Sequence, residues 1–329
     1  MRFMRTILAA VAALALAVLV AACGSGESGG GGGAGQQPQG GDGASGQTIA
    51  KIPGAETKGK ITIGSKNFTE QYILGQIYSQ ALEAAGFKVK TQLDLGSEQI
   101  AFKALKGGQI DGYPEYTGTS LTSFFDVKTA KVPKEAQAAY EQTKAEYAKE
   151  DITALAPTPF ENTYRLGALK ETADKLGGIK NMSQLAPKAK ELTVTAYPEC
   201  AQRADCALGV KQAYGAEFKD TVESETPYEV LDQKEADIAY VFTTDAQLTL
   251  PKYAIFEDDK KFFPPYNISF GIRNDALEKI GPEGQKVIEQ VQKPLTVDVM
   301  RELNSRVDLD KQEPEGVASA YLKEAGFVK

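Results

Sequence analysis

A repeated order of strand-like and helix-like segments limits the fold of this chain more than any other feature of its sequence. Residues 61–63 alternate as in a β-strand, residues 73–85 carry apolar side chains at helical spacing, and residues 87–95 again favour a strand. A helix-like segment at 100–105 and a short strand-like segment at 110–113 complete a β-α-β-α-β order. This order predicts a mostly parallel sheet covered by helices.

The same order returns in the second half of the chain. Its segments are a strand at 192–196, a helix at 207–214, a strand at 218–222, a helix at 228–234 and a strand at 237–242. A shift of 126 residues places Leu105 on Leu231, Asp111 on Asp237 and Thr117 on Thr243. We therefore predict an α/β protein of two related lobes, each a mostly parallel sheet with flanking helices.

Proline-rich segments separate the two halves. Residues 157–159 read Pro-Thr-Pro and residues 262–266 read Phe-Phe-Pro-Pro-Tyr. Proline interrupts helices and central strands, so these segments suit crossings between lobes. Two crossings return the chain to its first lobe. We predict a first lobe of residues 59–159 and the C-terminal helices in 267–329, a second lobe of 160–266, and a hinged ligand cleft between them.

The N-terminus has the pattern of an export signal. Arg2 and Arg5 precede an uncharged apolar run at 7–22, which is shorter than the roughly 20 residues needed to span a bilayer. The run ends in Val-Ala-Ala-Cys, which resembles the lipobox of bacterial lipoproteins and implies cleavage after residue 22 and a lipid on Cys23. The alternative is an ordinary signal peptide with an incidental cysteine.

Residues 23–58 are predicted to form a flexible tether. Most of this segment consists of Gly, Ser, Gln and Ala, which bury too little apolar surface to offset the entropy of ordering. Such a chain has a reach on the order of 30 Å. Signal, lipid and tether together predict an extracytoplasmic protein anchored to the cell membrane.

The composition argues against several classes of protein. The chain has no histidine, which removes Ser-His-Asp and Cys-His catalysis, and its net charge of −7 disfavours nucleic-acid binding. Asp258 and Asp259 stand beside two lysines and are better explained as a solvated turn than as a catalytic pair. We predict no catalytic residue, no metal site and no cofactor. Cys200 and Cys206 are predicted to form a disulfide, as expected in an exported chain.

Five segments in the predicted folded part share one family resemblance. They are Gly-Ser-Lys-Asn-Phe-Thr-Glu-Gln at 64–71, Asp-Gly-Tyr-Pro-Glu-Tyr-Thr-Gly-Thr at 111–119, Glu-Asn-Thr-Tyr at 161–164, Ala-Asp-Ile-Ala-Tyr at 236–240 and Leu-Asn-Ser-Arg-Val-Asp at 303–308. Together they resemble the osmoprotectant-binding proteins of glycine betaine/carnitine/choline ABC transporters. The resemblance implies a monomer with the type II periplasmic-binding fold, which works with an ABC permease and its ATPase subunit.

The resemblance also implies a set of ligand-binding residues. A trimethylammonium group has no N–H to donate, but the electron-rich faces of aromatic rings attract it. The implied cage is Tyr116, Tyr164, Tyr240 and Tyr266. The implied partners of a ligand carboxylate are Lys66, Thr119 and Arg203, with Asn162 as a further polar contact.

Three other interpretations stay open from the sequence. The first is a binding protein for a polar amino acid or another small carboxylate, because the basic residues would serve it equally well. The second is an exported enzyme on the same two-lobed scaffold, and the third is an adhesin or sensor with an unused cleft. The residues do not decide among glycine betaine, carnitine, choline and proline betaine, although the carboxylate partners favour betaines.

Overall fold

The computed structural model describes residues 47–198, 200 and 203–329. The predicted signal peptide at 1–22, the predicted lipid site Cys23 and residues 24–46 of the predicted tether lie outside the described residues. The end of the predicted tether is not a free linker: the backbone N–H groups of Ile49 and Ile52 donate to the first lobe, and Ala55 is fully buried in its core. Among the helices that the described residues form, none combines the length and the apolar composition needed to cross a bilayer.

Strands and helices alternate through most of the described chain. The strands are β1 Lys60–Gly64, β2 Lys88–Gln92, β3 Gly112–Tyr116, β4 Ile152–Ala154, β5 Tyr164–Leu169, β6 Thr193–Ala196, β7 Asp220–Glu223, β8 Ile238–Phe242, β9 Tyr253–Phe256 and β10 Ile268–Arg273. The helices are α1 Thr69–Ala84, α2 Glu98–Lys106, α3 Thr117–Thr119, α4 Ala136–Ala148, α5 Lys170–Lys175, α6 Met182–Leu185, α7 Ala207–Tyr214, α8 Pro227–Asp232, α9 Asn274–Gln292, α10 Val297–Asp308 and α11 Pro314–Glu324.

The strands form two five-stranded sheets, one in each lobe. The first has the order β2-β1-β3-β10-β4 and the second the order β7-β6-β8-β5-β9. In each sheet two of the four strand pairings are parallel and two are antiparallel, so both sheets are mixed rather than mostly parallel. The antiparallel pairings arise where a strand enters its sheet directly from a crossing: β5 enters the second sheet and β10 re-enters the first.

The two lobes repeat one local arrangement, as the shifted alignment predicts. The Asp111 carboxylate accepts a hydrogen bond from the Thr62 backbone N–H at 2.7 Å, and the Asp237 carboxylate accepts one from the Thr193 N–H at 2.9 Å. In each case the Asp backbone N–H also donates to the carbonyl of the same threonine. The aspartate therefore joins the first and third strands of each β-α-β-α-β unit in the same way.

Strand β3 extends beyond the predicted segment at 110–113. It pairs with β1 only at Gly112 and with β10 along its whole length. At Pro114, β3 has β10 as its neighbour but no described strand on its other side. The missing N–H of the proline therefore does not interrupt a hydrogen-bond ladder on that open side. The extension places Tyr116 at the end of the strand.

Helix α1 anchors the core of the first lobe. Its apolar side chains recur at helical spacing, and Ile73, Leu74, Ile77 and Tyr78 are fully buried. They pack in one cluster with the C-terminal helices α9, α10 and α11. The return of the chain to the first lobe thus completes this core.

The two crossings run side by side as an antiparallel pair. The Thr158 N–H donates to the Ile268 carbonyl at 2.8 Å, and the Asn162 N–H donates to the Tyr266 carbonyl at 3.2 Å. Glu161 and Asn267 form an antiparallel bridge between them. This ribbon joins the lobes and carries residues to the cleft.

A disulfide closes a short loop in the second lobe. Cys200 and Cys206 are bonded, with their Cα atoms 5.2 Å apart, as predicted. Both are fully buried in the core of the second lobe. The loop carries Arg203 and Asp205 toward the cleft.

Candidate ligand-binding cleft

A cavity of about 540 Å³ lies between the lobes. The first lobe lines it with Lys66, Phe68, Glu70, Tyr116, Thr119, Asn304 and Asp308. The second lobe and the crossings line it with Asn162, Tyr164, Tyr197, Arg203, Phe242, Asp245 and Tyr266. The volume falls in the range of small-molecule sites.

Aromatic rings cover the wall of the second lobe. Tyr164 begins β5 and Phe242 ends β8, and the two are direct partners in the antiparallel register. Their ring centroids lie 4.4 Å apart, and the ring of Tyr197 lies 5.8 Å from that of Phe242. Facing positions on paired strands hold side chains close together, so the sheet itself builds this aromatic surface.

The first lobe contributes two further rings. Tyr116 ends β3, and Phe68 precedes α1; their rings are stacked with centroids 6.2 Å apart. Phe68 is 38% exposed, whereas Tyr116 is 4% exposed. Aromatic faces from both lobes and from Tyr266 in the return crossing therefore line one cavity.

Lys66 follows β1 and is almost fully buried. Its ammonium group lies 2.5 Å from a carboxylate oxygen of Glu115 and 4.4 Å from the centroid of the Tyr116 ring. Glu115 also accepts hydrogen bonds from the Tyr113 hydroxyl at 2.9 Å and from the Tyr116 N–H at 2.7 Å. The cation that sequence reasoning assigns to a ligand carboxylate thus already has a protein carboxylate as its partner.

Arg203 has a similar partner within the disulfide loop. Its Nε and Nη2 donate to the two carboxylate oxygens of Asp205 at 2.8 and 2.6 Å. Burial opposes ionisation of Asp205, but the guanidinium and the hydroxyl of Tyr266, which donates to the carboxylate at 2.7 Å, hold its pKa below the usual range. The second-lobe loop is thereby joined to the return crossing.

Glu70 is a buried carboxylate on the cavity wall. It is 2% exposed and accepts hydrogen bonds from the Tyr116 hydroxyl at 2.6 Å, the Asn162 amide at 3.1 Å and the Asn304 amide at 3.4 Å. Burial raises the pKa of Glu70, and these donors partly oppose the rise. Glu70 lies in the family segment at 64–71 but is not among the ligand-binding residues that the resemblance implies.

Asp245 and Asp308 extend the row of carboxylates along the cavity. Asp245 accepts from the Phe242 N–H at 2.8 Å and the Tyr228 hydroxyl at 2.9 Å. Burial, together with the charges of Glu70 and Asp308, raises the pKa of Asp245 to about 7. Asp308 accepts from the Thr69 hydroxyl at 2.6 Å.

Because the pKa of Asp245 is raised, its contribution to the free energy of unfolding decreases as the pH rises. Between about pH 4 and pH 7 the folded protein keeps a proton on Asp245 that the unfolded chain has lost, so ionisation costs stability as the pH rises through this window. A full shift of three units is worth about 4 kcal/mol. Because the side chain is only partly buried, we expect about 1–2 kcal/mol.

We therefore expect Asp245→Asn to gain stability relative to the wild type as the pH rises. Denaturant unfolding measures the free energy of unfolding of both proteins at pH 4.5 and at pH 8. The value for the variant minus that for the wild type should be about 1–2 kcal/mol larger at pH 8 than at pH 4.5. The exposed Asp298 on α10 provides a control, since Asp298→Asn should show no such increase. A difference independent of pH would contradict the assignment.

Comparison with known proteins identifies the family. The family model described as the substrate binding domain of an ABC-type glycine betaine transport system matches residues 59–324. The chain belongs to this family. The family is a substrate-binding component of a transport system and not an enzyme. The match confirms the predicted family resemblance and the predicted α/β fold of two lobes.

Individual relatives support the same conclusion. The chain is 32% identical over 294 residues to a glycine-betaine-binding protein of Pseudomonas aeruginosa, covering 85% of this chain and 91% of the relative. It is 32% identical over 271 residues, 81% of its length, to an ergothioneine transport permease/ergothioneine binding protein of Helicobacter pylori, of which it spans 48%. A solved glycine betaine/carnitine/choline ABC transporter structure has a TM-score of 0.73 at 27% identity, covering 80% and 98% of the chains.

Most of the site residues suggested by the family resemblance line the cavity. Lys66, Tyr116, Thr119, Asn162, Tyr164, Arg203 and Tyr266 all lie on its wall. Thr119 lies in the turn of α3, next to Gly118. A Cβ at Gly118 would lie 2.8 Å from both the Pro265 carbonyl and the Tyr266 ring, so glycine permits the return crossing to pack there.

Tyr240 does not lie on the cavity wall. It is 1% exposed and packs in the core of the second lobe, opposite Leu166. The cavity opens at the carboxyl end of β8, two residues farther along the same face, where Phe242 stands. Tyr240 is therefore not among the residues that line the cavity, and Phe242 occupies the corresponding place at the end of β8.

Proposed function

We propose that this chain is the extracytoplasmic binding protein of an ABC importer and that it holds a quaternary-ammonium solute between its lobes. The observation that carries the proposal is the convergence of aromatic rings from both lobes on one cavity. In this proposal the cage consists of Tyr116, Tyr164, Phe242 and Tyr266. Glycine betaine and ergothioneine, which appear in the names of relatives, both combine a trimethylammonium head with a carboxylate.

Attraction between the ligand cation and the ring faces accounts for the choice of residues. Each desolvated ring contributes about 0.5–2 kcal/mol toward a cation, so four rings can contribute several kcal/mol. Hydrogen bonds cannot replace them, because the head has no N–H. Tyr116 and Tyr266 also use their hydroxyls to bond Glu70 and Asp205, which holds both rings in place.

The carboxylate of the ligand would bind the basic and hydroxyl side chains of the cavity wall. Lys66, Thr119 and Arg203 supply donors on this wall. A guanidinium has five N–H donors, and Asp205 uses two of those of Arg203. Each cation would therefore share its charge between a protein carboxylate and the ligand.

Contacts across the cleft suggest how binding and closure are linked. Arg301 and Asn304 on α10 of the first lobe donate to the carbonyls of Thr243 and Thr244 in the second lobe, at 2.6 and 2.8 Å. On the other side the Asp205 carboxylate bonds Tyr266. A ligand held by rings of both lobes adds to these contacts and favours the closed form.

The remaining parts of the proposal concern export and transport. Residues 1–22 would direct export, and Cys23 would carry the lipid. The segment from 24 to about 46 would tether a monomeric domain to the membrane, because Ile49, Ile52 and Ala55 already pack on the first lobe. The closed form would dock on an ABC permease, and a separate ATPase subunit would drive release. Transfer of the lipid should be abolished by Cys23→Ala, which mass spectrometry of the membrane fraction can establish.

A thermal-shift panel of quaternary amines tests the proposed ligand class. We expect glycine betaine, carnitine, choline or ergothioneine to raise the melting temperature, with about 2.7 kcal/mol of stabilisation at 100 times the dissociation constant. Unmethylated glycine serves as the control, because its ammonium group is strongly hydrated and does not fill the cage. Stabilisation by glycine and other amino acids, but by none of the quaternary amines, would support the polar amino acid interpretation instead.

A further inference from the structure

One wall of the cavity presents acceptors rather than donors. We propose that the ligand carries, beyond its quaternary head and carboxylate, an arm with N–H or O–H donors that binds an acceptor wall formed by Glu70, Asp245, Asn304 and Asp308. This inference rests on the proposed function. It narrows the substrate class to betaines whose substituent ends in a hydrogen-bond donor.

The carboxylates of the acceptor wall have only neutral partners. In the described part of the chain neither Glu70, Asp245 nor Asp308 forms an ion pair with a lysine or arginine, whereas Lys66 and Arg203 pair with carboxylates of their own. A carboxylate offers about four acceptor sites. The four side-chain donors around Glu70 fill its sites, whereas Asp245 accepts from two groups and Asp308 from one, so these two keep acceptor sites for a ligand. The wall therefore favours donors, neutral or positively charged, and such a donor also favours the ionised form of Asp245, whose pKa is raised to about 7.

Asn304 adds an acceptor within the same wall. It is 5% exposed, and its Nδ2 donates to the Thr244 carbonyl at 2.8 Å and to Glu70 at 3.4 Å. These two acceptors determine which end of the amide is the nitrogen. The Asn304 Oδ1 has no hydrogen-bond partner among the described residues. Buried polar atoms rarely lack a hydrogen-bond partner. A donor on the ligand would supply one for Oδ1 after a small shift of the Asn304 side chain.

The space beside the acceptor wall accommodates an arm. The main cavity adjoins a second cavity of about 210 Å³, and Tyr197, Glu225, Asp245 and Asp308 line both. The second cavity adds Glu229 and has no lysine or arginine among the described residues that line it. Glycine betaine has neither a substituent nor a donor with which to contact this region.

Matched ligand pairs test the inference by isothermal titration calorimetry on the purified protein. L-carnitine and γ-butyrobetaine differ by one hydroxyl, and histidine betaine differs from glycine betaine by a side arm with a ring N–H. Ergothioneine provides a third donor-bearing ligand. We expect the donor-bearing member of at least one pair to bind at least tenfold more tightly.

Variants assign this preference to the acceptor wall. In Asp308→Asn the ratio of affinities within that pair should fall at least threefold, while Asp298→Asn on the same helix should preserve it. Asn304→Asp keeps the size of the side chain and should also change the ratio. Equal or tighter binding of both donor-free members would overturn the inference and leave the proposed function intact, whereas failure of all five ligands to bind would overturn the proposed function itself.

Discussion

Phe242→Ala is expected to weaken the binding of a quaternary amine by roughly 30- to 150-fold. Removing the ring deletes one face of the proposed cage and apolar contact with the methyl groups, together about 2–3 kcal/mol. The loss should appear mainly as faster dissociation. Phe242→Tyr keeps the ring face and should stay within about threefold of the wild type, which calorimetry or intrinsic fluorescence can measure.

Tyr240 provides the matched control for Phe242, because the two lie on one face of the same strand. Tyr240 is fully buried in the second-lobe core, so Tyr240→Ala should destabilise the fold by about 3–5 kcal/mol through a cavity. Tyr240→Phe should preserve both stability and affinity to within about 1 kcal/mol. If Tyr240→Phe weakened binding while Phe242→Ala did not, the proposed cage would be wrong.

The sequence predicts most of the scaffold because the relevant signals are local. Apolar spacing locates α1 and α7, and the repeated strand-helix order locates the two lobes. No local sequence signal determines the direction of β5 and β10, because it depends on which side of a sheet the chain enters after a crossing. Neither β5 nor β10 is among the predicted strands, and their antiparallel pairing could not be read from a local pattern.

The candidate site is predicted less completely, for two physical reasons. Alternation along β8 places Tyr240 and Phe242 on the same face, and only the position of the cleft decides which ring reaches it. The partners of Lys66 and Arg203 depend on burial, because Glu115 and Asp205 look like ordinary charges in the sequence. Glu70 could have been noticed as a carboxylate within an otherwise apolar helix face.

Breaking the buried pair of Lys66 and Glu115 is expected to destabilise the fold as strongly as Tyr240→Ala. Glu115→Gln leaves the ammonium of Lys66 without its counter-charge, and breaking one side of such a pair costs about 3–5 kcal/mol. The double variant Lys66→Met/Glu115→Gln removes both charges and should recover most of that loss. Denaturant unfolding of the two single variants and the double variant at pH 7 measures the coupling directly.

The same variants separate the structural role of Lys66 from its proposed role in binding. If Lys66 contributes its charge to a ligand carboxylate, the double variant should bind glycine betaine at least tenfold more weakly than the wild type. Choline has the same head but no carboxylate, so its affinity should change by less than about threefold. A parallel loss for both ligands would mean that Lys66 acts only by holding Tyr116, whose ring lies 4.4 Å from its ammonium group. Arg203 and Thr119 would then be the remaining partners of the carboxylate.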